Sequence, residues 1–202
     1  VSYIRERAGL LIRHKTEAYT FPHRTFQEFM AACHLVGVKD YPSEAAALTR
    51  EEPSRWREVF ALAAGHAART HRLVQAISAV NALCPREVGS VSQPEATDAA
   101  DRRRSGTDAR SMSARSAMSA EYRRAQLAGV SLLEIGLIGV RREEAGQVAL
   151  ARVRGWLTAA MRADAALEPQ GRAEAGDTLA RLGDPRFRAD AWHLPDEPLL
   201  GF

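Results

Sequence analysis

The sequence predicts a mainly α-helical protein with one short β-hairpin near its start. Apolar residues recur at helical spacing over most of the chain, strand-like patterning is confined to residues 10–21, and prolines stand at the ends of the apolar stripes. With 202 residues, 46% of them hydrophobic, the chain can form a core in one domain or in two small ones. No apolar run is long enough to cross a bilayer and no signal-peptide core is present, so we expect a cytoplasmic protein without membrane contact.

The charged residues point to no strongly basic or acidic partner. The net charge is +3, and the cations are almost all arginines, since Lys15 and Lys39 are the only lysines. The arginines are scattered among acidic residues, so a nucleic-acid partner is not expected. Cys33 and Cys84 lie in predicted helices and lack the C-x-x-C spacing of metal sites. We expect both to be buried, reduced thiols.

Residues 1–40 contain the predicted hairpin. Two short apolar runs, 10–13 and 18–21, flank the polar stretch 14–17, which is the pattern of two strands joined by a turn. A short helical stretch precedes the hairpin, and a proline, Pro22, ends its second strand. A helix follows, so the order of elements is helix, hairpin, helix. This order is that of a winged helix.

The helix after the hairpin has a start signal and an apolar stripe. Thr25 and Glu28 have the spacing of a capping box, in which each side chain accepts a hydrogen bond from the other residue's backbone N–H. One face is predicted to be apolar, and it consists of Phe26, Phe29, Met30, Cys33 and Val36.

Residues 41–86 are predicted to form a helical hairpin of two helices. Pro53 begins the first, Pro85 ends the second, and residues 69–71 form the turn between them. The apolar stripe of the first helix contains Trp56, Val59, Phe60, Ala63 and Ala67, and that of the second contains Leu73, Val74, Ile77, Val80 and Cys84.

Residues 87–120 differ from the rest in composition. From Gly89 to Ala120 there is no Leu, Ile, Phe, Tyr or Trp, and Ser, Ala, Asp and Arg dominate. Such a segment buries too little apolar surface to offset its ordering entropy, so a disordered loop is predicted. The arginines at 102–104 are interpreted as a solvated charge run, with RNA or anionic lipid as the alternative contact.

Residues 121–186 return to helical patterning. Gly183 suits a left-handed C-terminal cap, with Pro185 beyond it, and residues 187–202 are expected to be a linker to a further domain. Short helices that each expose an apolar stripe are typical of a stacked array, here irregular and HEAT-like. The three stripes contain Leu127, Val130, Leu133 and Leu137; Val148 or Ala149, Val153, Trp156, Leu157, Ala160 and Met161; and Ala175, Leu179 and Leu182.

The start of the chain carries a family resemblance. A strand that ends in an aromatic residue is followed by a histidine and then by a Phe-Gln-Glu helix start, in the stretch Ala18-Tyr19-Thr20-Phe21-Pro22-His23-Arg24-Thr25-Phe26-Gln27-Glu28-Phe29-Met30-Ala31-Ala32. This pattern resembles the end of the winged-helix domain of NACHT-family STAND NTPases. The resemblance covers residues 1–37. The predicted fold is therefore the end of a winged-helix domain followed by the helical array.

The resemblance implies a role for one histidine. In NACHT proteins the histidine that matches His23 donates a hydrogen bond to the β-phosphate of ADP and so holds the inactive state. The resemblance further implies an upstream nucleotide-binding domain in the same chain, a downstream sensor, homo-oligomers on activation, and a role in bacterial signalling or defence. Without the family pattern, the alternative for His23 is capping or packing at the hairpin exit.

The chain itself is not expected to be an enzyme. It has no G-x-x-x-x-G-K-[ST] phosphate loop and no acidic Walker B strand, so ADP or ATP with Mg²⁺ would be bound by the parent protein and not by these residues alone. His66 and His71 with Glu58 are interpreted as an exposed turn and not as a metal site. The aromatic residues Trp56, Tyr122 and Trp156 are expected to anchor the core.

The end of the chain suggests a further partner. Residues 172–186 are similar to the helical segment that precedes a formylglycine-generating-enzyme-like (sulfatase-modifying factor) domain in many bacterial NACHT proteins. The leading hypothesis for function is a non-catalytic relay between the nucleotide-binding domain and the sensor. Two alternatives stay open: a helical module that binds protein or nucleic acid, and a scaffold that positions the formylglycine-generating-enzyme-like domain.

Overall fold

The computed structural model describes residues 12–15, 18–86, 107–163, 166–188 and 194–195. Within these ranges the chain is mainly helical with a short hairpin at its start, as predicted. The helices are α1 Arg24–Gly37, α2 Tyr41–Glu51, α3 Pro53–Arg69, α4 Leu73–Leu83, α5 Thr107–Ile135, α6 Leu137–Arg142, α7 Glu144–Met161 and α8 Pro169–Leu182. The strands are β1 Ile12–Lys15, β2 Ala18–Thr20, β3 Phe187–Arg188 and β4 Leu194–Pro195.

The predicted hairpin is present, but the helix after it starts differently from the prediction. Strands β1 and β2 are antiparallel, with Arg13 opposite Tyr19. The N-cap of α1 is His23, and no side chain caps this helix end. The capping box of Thr25 and Glu28 was therefore wrong. Glu28 instead accepts a hydrogen bond from the Nε of Arg24 at 2.6 Å, because residues four apart lie side by side on a helix.

The apolar stripe predicted for α1 is only partly buried. Phe26, Phe29 and Met30 are 42%, 40% and 55% exposed. The buried face is rotated toward Ala32, Leu35 and Val36, which lie in the core formed with the following helices. Helical periodicity shows that one face is apolar, but it does not show how much of that face the neighbouring helices cover.

Residues 41–86 form three helices and not two. Helix α2 was missed because its alanine run has high helix propensity without a distinct stripe of large apolar residues. Its buried residues, Tyr41, Ala45, Ala46 and Thr49, belong to the face that packs on α4. Helices α3 and α4 begin and end close to the predicted prolines, and the turn between them includes His71 at a φ of 61°.

The prediction of a disordered segment over 87–120 was wrong for its second part. Residues 107–120 form the first half of α5, while 87–106 lie outside the described residues. Residues 112–117 are exposed, and packing begins near Met118 and Tyr122. The packed half supplies the nucleus that a helix needs, and Ala, Ser, Arg and Met extend it, because adding a turn to an existing helix is far easier than starting one.

The C-terminal helices follow the predicted order with one additional break. Gly136, at a φ of 96°, separates α5 from α6, so Leu137 does not continue the stripe of Leu127. Gly183 follows α8 at a φ of 93°, which agrees with the expected cap. Within the region predicted as a linker, β3 pairs with β4 in an antiparallel ladder. The rest of residues 187–202 lies outside the described residues.

Helix α3 lies at the centre of the fold and packs against α1, α2, α4 and α5. Its middle turns are rich in small buried residues, Ala61, Ala63, Ala64, Gly65 and Ala67, which allow neighbouring helices to approach closely. A Cβ added at Gly65 would lie 3.3 Å from atoms of Glu134 on α5. In the described part of the chain no helix has both the length and the hydropathy to span a membrane. The HEAT-like regularity of the array stays a prediction.

Candidate functional site

The candidate site lies at the N-terminal end of α1, where β2 leads into the helix. His23 is the N-cap residue, its backbone is extended with φ −123° and ψ 132°, and its side chain is exposed. Its carbonyl oxygen accepts the Phe26 N–H at 3.2 Å, and its ring centroid lies 6.1 Å from that of Phe26. The imidazole is therefore not enclosed by packed side chains. It stands beside a helix end whose uncapped N–H groups and partial positive charge favour an anion.

An exposed apolar ridge adjoins His23 along α1. Phe26, Phe29 and Met30 form it, and they share one side of the helix because they are three and four residues apart. Leu35, on the opposite side of the helix, is buried, and so is Val36, which follows Phe29 by seven residues near the C-terminal end of α1. Helix α1 thus has one face in the helical array and another, next to His23, available for contact.

A contact between two rings joins the ridge to the central helix. The Phe29 ring meets the His66 ring of α3 edge-on, with centroids 6.0 Å apart. The sequence interpretation placed His66 in an exposed turn with His71 and Glu58. His66 is instead half-buried within α3, whereas the other two residues are exposed. Within the described ranges no group of three His, Cys, Asp or Glu side chains could hold a metal ion.

A cleft of about 600 Å³ opens on the other side of the α1 N-terminus, where α3 begins. Arg24 lines it from α1, and Arg55 and Trp56 line it from α3. Each arginine is already paired, Arg24 with Glu28 at 2.6 Å and Arg55 with Glu52 at 3.4 Å. The two glutamates neutralise the charges of the two arginines, so this cleft does not attract anions strongly. The spacing of four residues between Arg24 and Glu28 is the sequence signal from which their ion pair could have been predicted.

Comparison with known protein families identifies the region around His23. Residues 1–35 match the family described as "Winged helix-turn-helix domain C-terminal to NACHT". The NACHT-associated winged-helix region therefore includes β1, β2, His23 and most of α1. Neither the curated proteins nor the solved structures contain a match to the chain. The resemblance of residues 172–186 to a segment before a formylglycine-generating-enzyme-like domain stays a prediction.

The match ends inside α1, so this helix belongs both to the winged-helix region and to the array. Its last two residues, Val36 and Gly37, lie beyond the matched range, and Val36 is buried in the array core. Helix α1 packs against α3 and so connects the residues around His23 to the centre of the array.

Several polar and aromatic residues of the helices have structural roles. Ser131 is fully buried and donates from its Oγ to the Leu127 carbonyl at 2.8 Å. Trp156 is 2% exposed, and its ring meets that of Tyr122 edge-on at 5.6 Å. These contacts confirm both aromatic residues as core anchors. Cys84 is buried, and burial raises the pKa of its thiol to about 12, whereas Cys33 is half-buried and so only partly fits the prediction.

Proposed function

We propose that this chain is a non-catalytic regulatory segment of a STAND NTPase. It holds an upstream NACHT nucleotide-binding domain in its ADP state and couples that domain to a C-terminal sensor. The observation that carries the proposal is the exposed His23 at the uncapped start of α1, within the residues that match the NACHT-associated winged helix. Bacterial signalling or defence is the setting that the resemblance suggests.

In this proposal His23 donates a hydrogen bond to the β-phosphate of ADP bound by the upstream domain. The extended backbone at His23 and the exposed ring leave the imidazole accessible to a neighbouring module. A charge-assisted hydrogen bond contributes about 1.5–3 kcal/mol, which is enough to bias a two-state equilibrium. Nucleotide hydrolysis, with Mg²⁺, takes place in the upstream domain and not in these residues.

The relay to the sensor runs through α1. When the nucleotide state changes, α1 moves with the winged helix, and its buried face transmits the movement to α3 and then to α4 and α5. The Phe29–His66 contact adds a second connection on the exposed side of the same helix pair. The buried face and this ring contact together favour movement of α1 with α3 over sliding between them.

The test is nucleotide retention in the protein that contains the upstream NACHT module. His23→Ala is compared with His34→Ala, a matched control, because His34 is also exposed on α1 but lies near the other end of the helix. His23→Ala is expected to release a fluorescent ADP analogue about tenfold faster or more and to favour self-assembly, whereas His34→Ala behaves as the wild type. Equal ADP release rates in all three proteins would rule out the clamp role of His23.

A further inference from the structure

A second cleft, of about 660 Å³, lies between the turn that joins α1 to α2 and the turn that joins α3 to α4. Lys39 lines it from the first turn, and His71 and Arg72 line it from the second. Among the described residues that line this cleft there is no carboxylate. Asp40, the acidic residue next to Lys39 in sequence, is exposed at the start of α2 and does not line it. The cleft therefore has an excess of positive charge.

Apolar residues form the remaining wall of the cleft. Val38 and Leu73 are half-buried there, and Val74 is 59% exposed. Val74 belongs to the apolar stripe of α4, and its exposure leaves an apolar surface beside the cationic one. A ligand with an anionic group and an apolar body would contact both the cationic wall and the apolar wall.

Arg72 connects the cleft to α1. Its Nη1 donates to the Val36 carbonyl at 2.6 Å and so supplies a partner to a carbonyl at the C-terminal end of α1. The remaining N–H groups of the guanidinium fork stay available, since arginine has five donors in a fixed plane. His71, with its left-handed backbone at φ 61°, and Arg72 are neighbours on the turn that bears these donors.

We propose that this cleft binds a phosphorylated small molecule with an apolar or aromatic body. A phosphate dianion matches the two fixed positive charges of Lys39 and Arg72, and arginine and lysine are the usual phosphate-binding side chains of proteins. The partial positive charge at the start of α4 adds to this attraction. The volume lies within the range of small-molecule sites.

The position of the cleft makes the ligand an effector of the relay, and this part rests on the proposed function. The cleft lies at the C-terminal end of α1, and His23 lies at the N-terminal end, about 20 Å away for a 14-residue helix. A ligand that engages Arg72 changes how firmly Val36 is held. Occupancy of the cleft is thereby coupled to the orientation of α1.

The first experiment measures binding to the 202-residue chain without any upstream module. Adenosine monophosphate, which carries one phosphate and an aromatic base, is titrated while backbone amide shifts are followed by NMR. Saturable shifts are expected at residues 37–39 and 71–75. Lys39→Glu should weaken binding by about tenfold to a hundredfold, whereas Arg162→Glu, an exposed charge reversal at the end of α7, should leave it unchanged.

A variant that blocks the cleft distinguishes binding inside the cleft from non-specific attraction of the anion to positive charge. Gly37 lines the cleft, and a Cβ built on it meets no atom within 4 Å, so Gly37→Phe adds a ring at the wall of the cleft without a clash at the Cβ. It should abolish binding of adenosine monophosphate while the melting temperature stays unchanged. Ala47→Phe, at an exposed position of α2, is the control for adding a ring elsewhere.

Three results would overturn the proposal. These are the absence of saturable binding, equal affinity of Gly37→Phe and the wild type, or shifts that centre on residues 23–26 and vanish in His23→Ala. Equal affinity for inorganic phosphate would remove the role of the apolar wall. Because His23→Ala should not affect binding in this cleft, failure of the ADP clamp and failure of the effector site are distinguishable.

Discussion

The indole Nε1–H of Trp156 donates a hydrogen bond to the carbonyl oxygen of Pro85 at 3.1 Å, across 71 positions of sequence. Pro85 is near the last described residue of the first helical group, and Trp156 lies in α7 of the second. The Tyr122 ring packs against the same indole from α5. One side chain thus joins the two groups of helices on either side of residues 87–106.

Two substitutions of Trp156 distinguish the stability that its hydrogen bond contributes from the stability that its packing contributes. Trp156→Phe keeps a buried aromatic ring but leaves the Pro85 carbonyl without its donor, so it is expected to lower the free energy of unfolding by about 1–3 kcal/mol. Trp156→Ala also leaves a cavity and should cost about 3–5 kcal/mol. Urea unfolding followed by circular dichroism measures both. Unchanged stability of Trp156→Phe would show that the hydrogen bond contributes nothing separately, and equal losses in the two variants would show that the packing of the ring adds nothing to it.

The close approach of α7 to α6 depends on Gly146. A Cβ at this position would overlap the Val140 carbonyl group, so Gly146→Ala requires a backbone shift and is expected to cost about 1–3 kcal/mol or more. Gly171→Ala is the matched control, because its Cβ would lie 3.7 Å from Leu167 in ordinary contact. There alanine should stabilise the helix by up to about 1 kcal/mol. Thermal unfolding curves with the same sign of shift for both variants would contradict this account.

The two faces of α1 should respond differently to truncation. Leu35 is 5% exposed, and Leu35→Ala is expected to cost about 2–5 kcal/mol. Met30 is 55% exposed, so Met30→Ala should change the stability of the 202-residue chain by no more than about 0.5 kcal/mol. Chemical denaturation of the two variants provides the comparison. A large loss for Met30→Ala would mean that the ridge is covered within the chain itself and is not free for another module.

Alkaline pH should weaken the fold through Cys84. Burial, the largest cause, raises the pKa of this thiol from 9.0 to about 12, with Arg152 lowering it and Glu121 raising it by smaller amounts. Below about pH 9 the thiol is neutral in both folded and unfolded chains, so stability is unaffected. Between about pH 9 and 12 it ionises only when unfolded, which lowers stability by about 1.4 kcal/mol for each pH unit.

Variants of two buried residues distinguish the contribution of the Cys84 thiol from other effects of alkaline pH on stability. Cys84→Ala is less stable than the wild type at pH 7, but the difference in unfolding free energy should narrow as pH rises above about 9. Val80→Ala, also buried in α4, has no titrating group, so its difference from the wild type should stay constant. Parallel pH profiles for both variants would show that Cys84 does not cause the alkaline loss.

Several features followed from the residues alone because they depend on neighbours in the sequence. Two short apolar runs around a polar stretch predicted β1 and β2, and Pro53, Pro85 and Gly183 marked helix ends through their fixed or left-handed backbone angles. The motif around His23 predicted both its position before α1 and its winged-helix context. These signals are local, so no knowledge of packing was needed.

Only the tertiary structure determined which surfaces are buried. The stripe of α1 was identified, but packing buries Leu35 and Val36 in the core and leaves Phe26, Phe29 and Met30 exposed. The helical state of residues 107–120 depends on the packed half of α5, and the cationic cleft combines Lys39 with His71 and Arg72 from another turn. Helical periodicity gives the direction of an apolar face, whereas burial and clefts depend on contacts between helices that are distant in sequence.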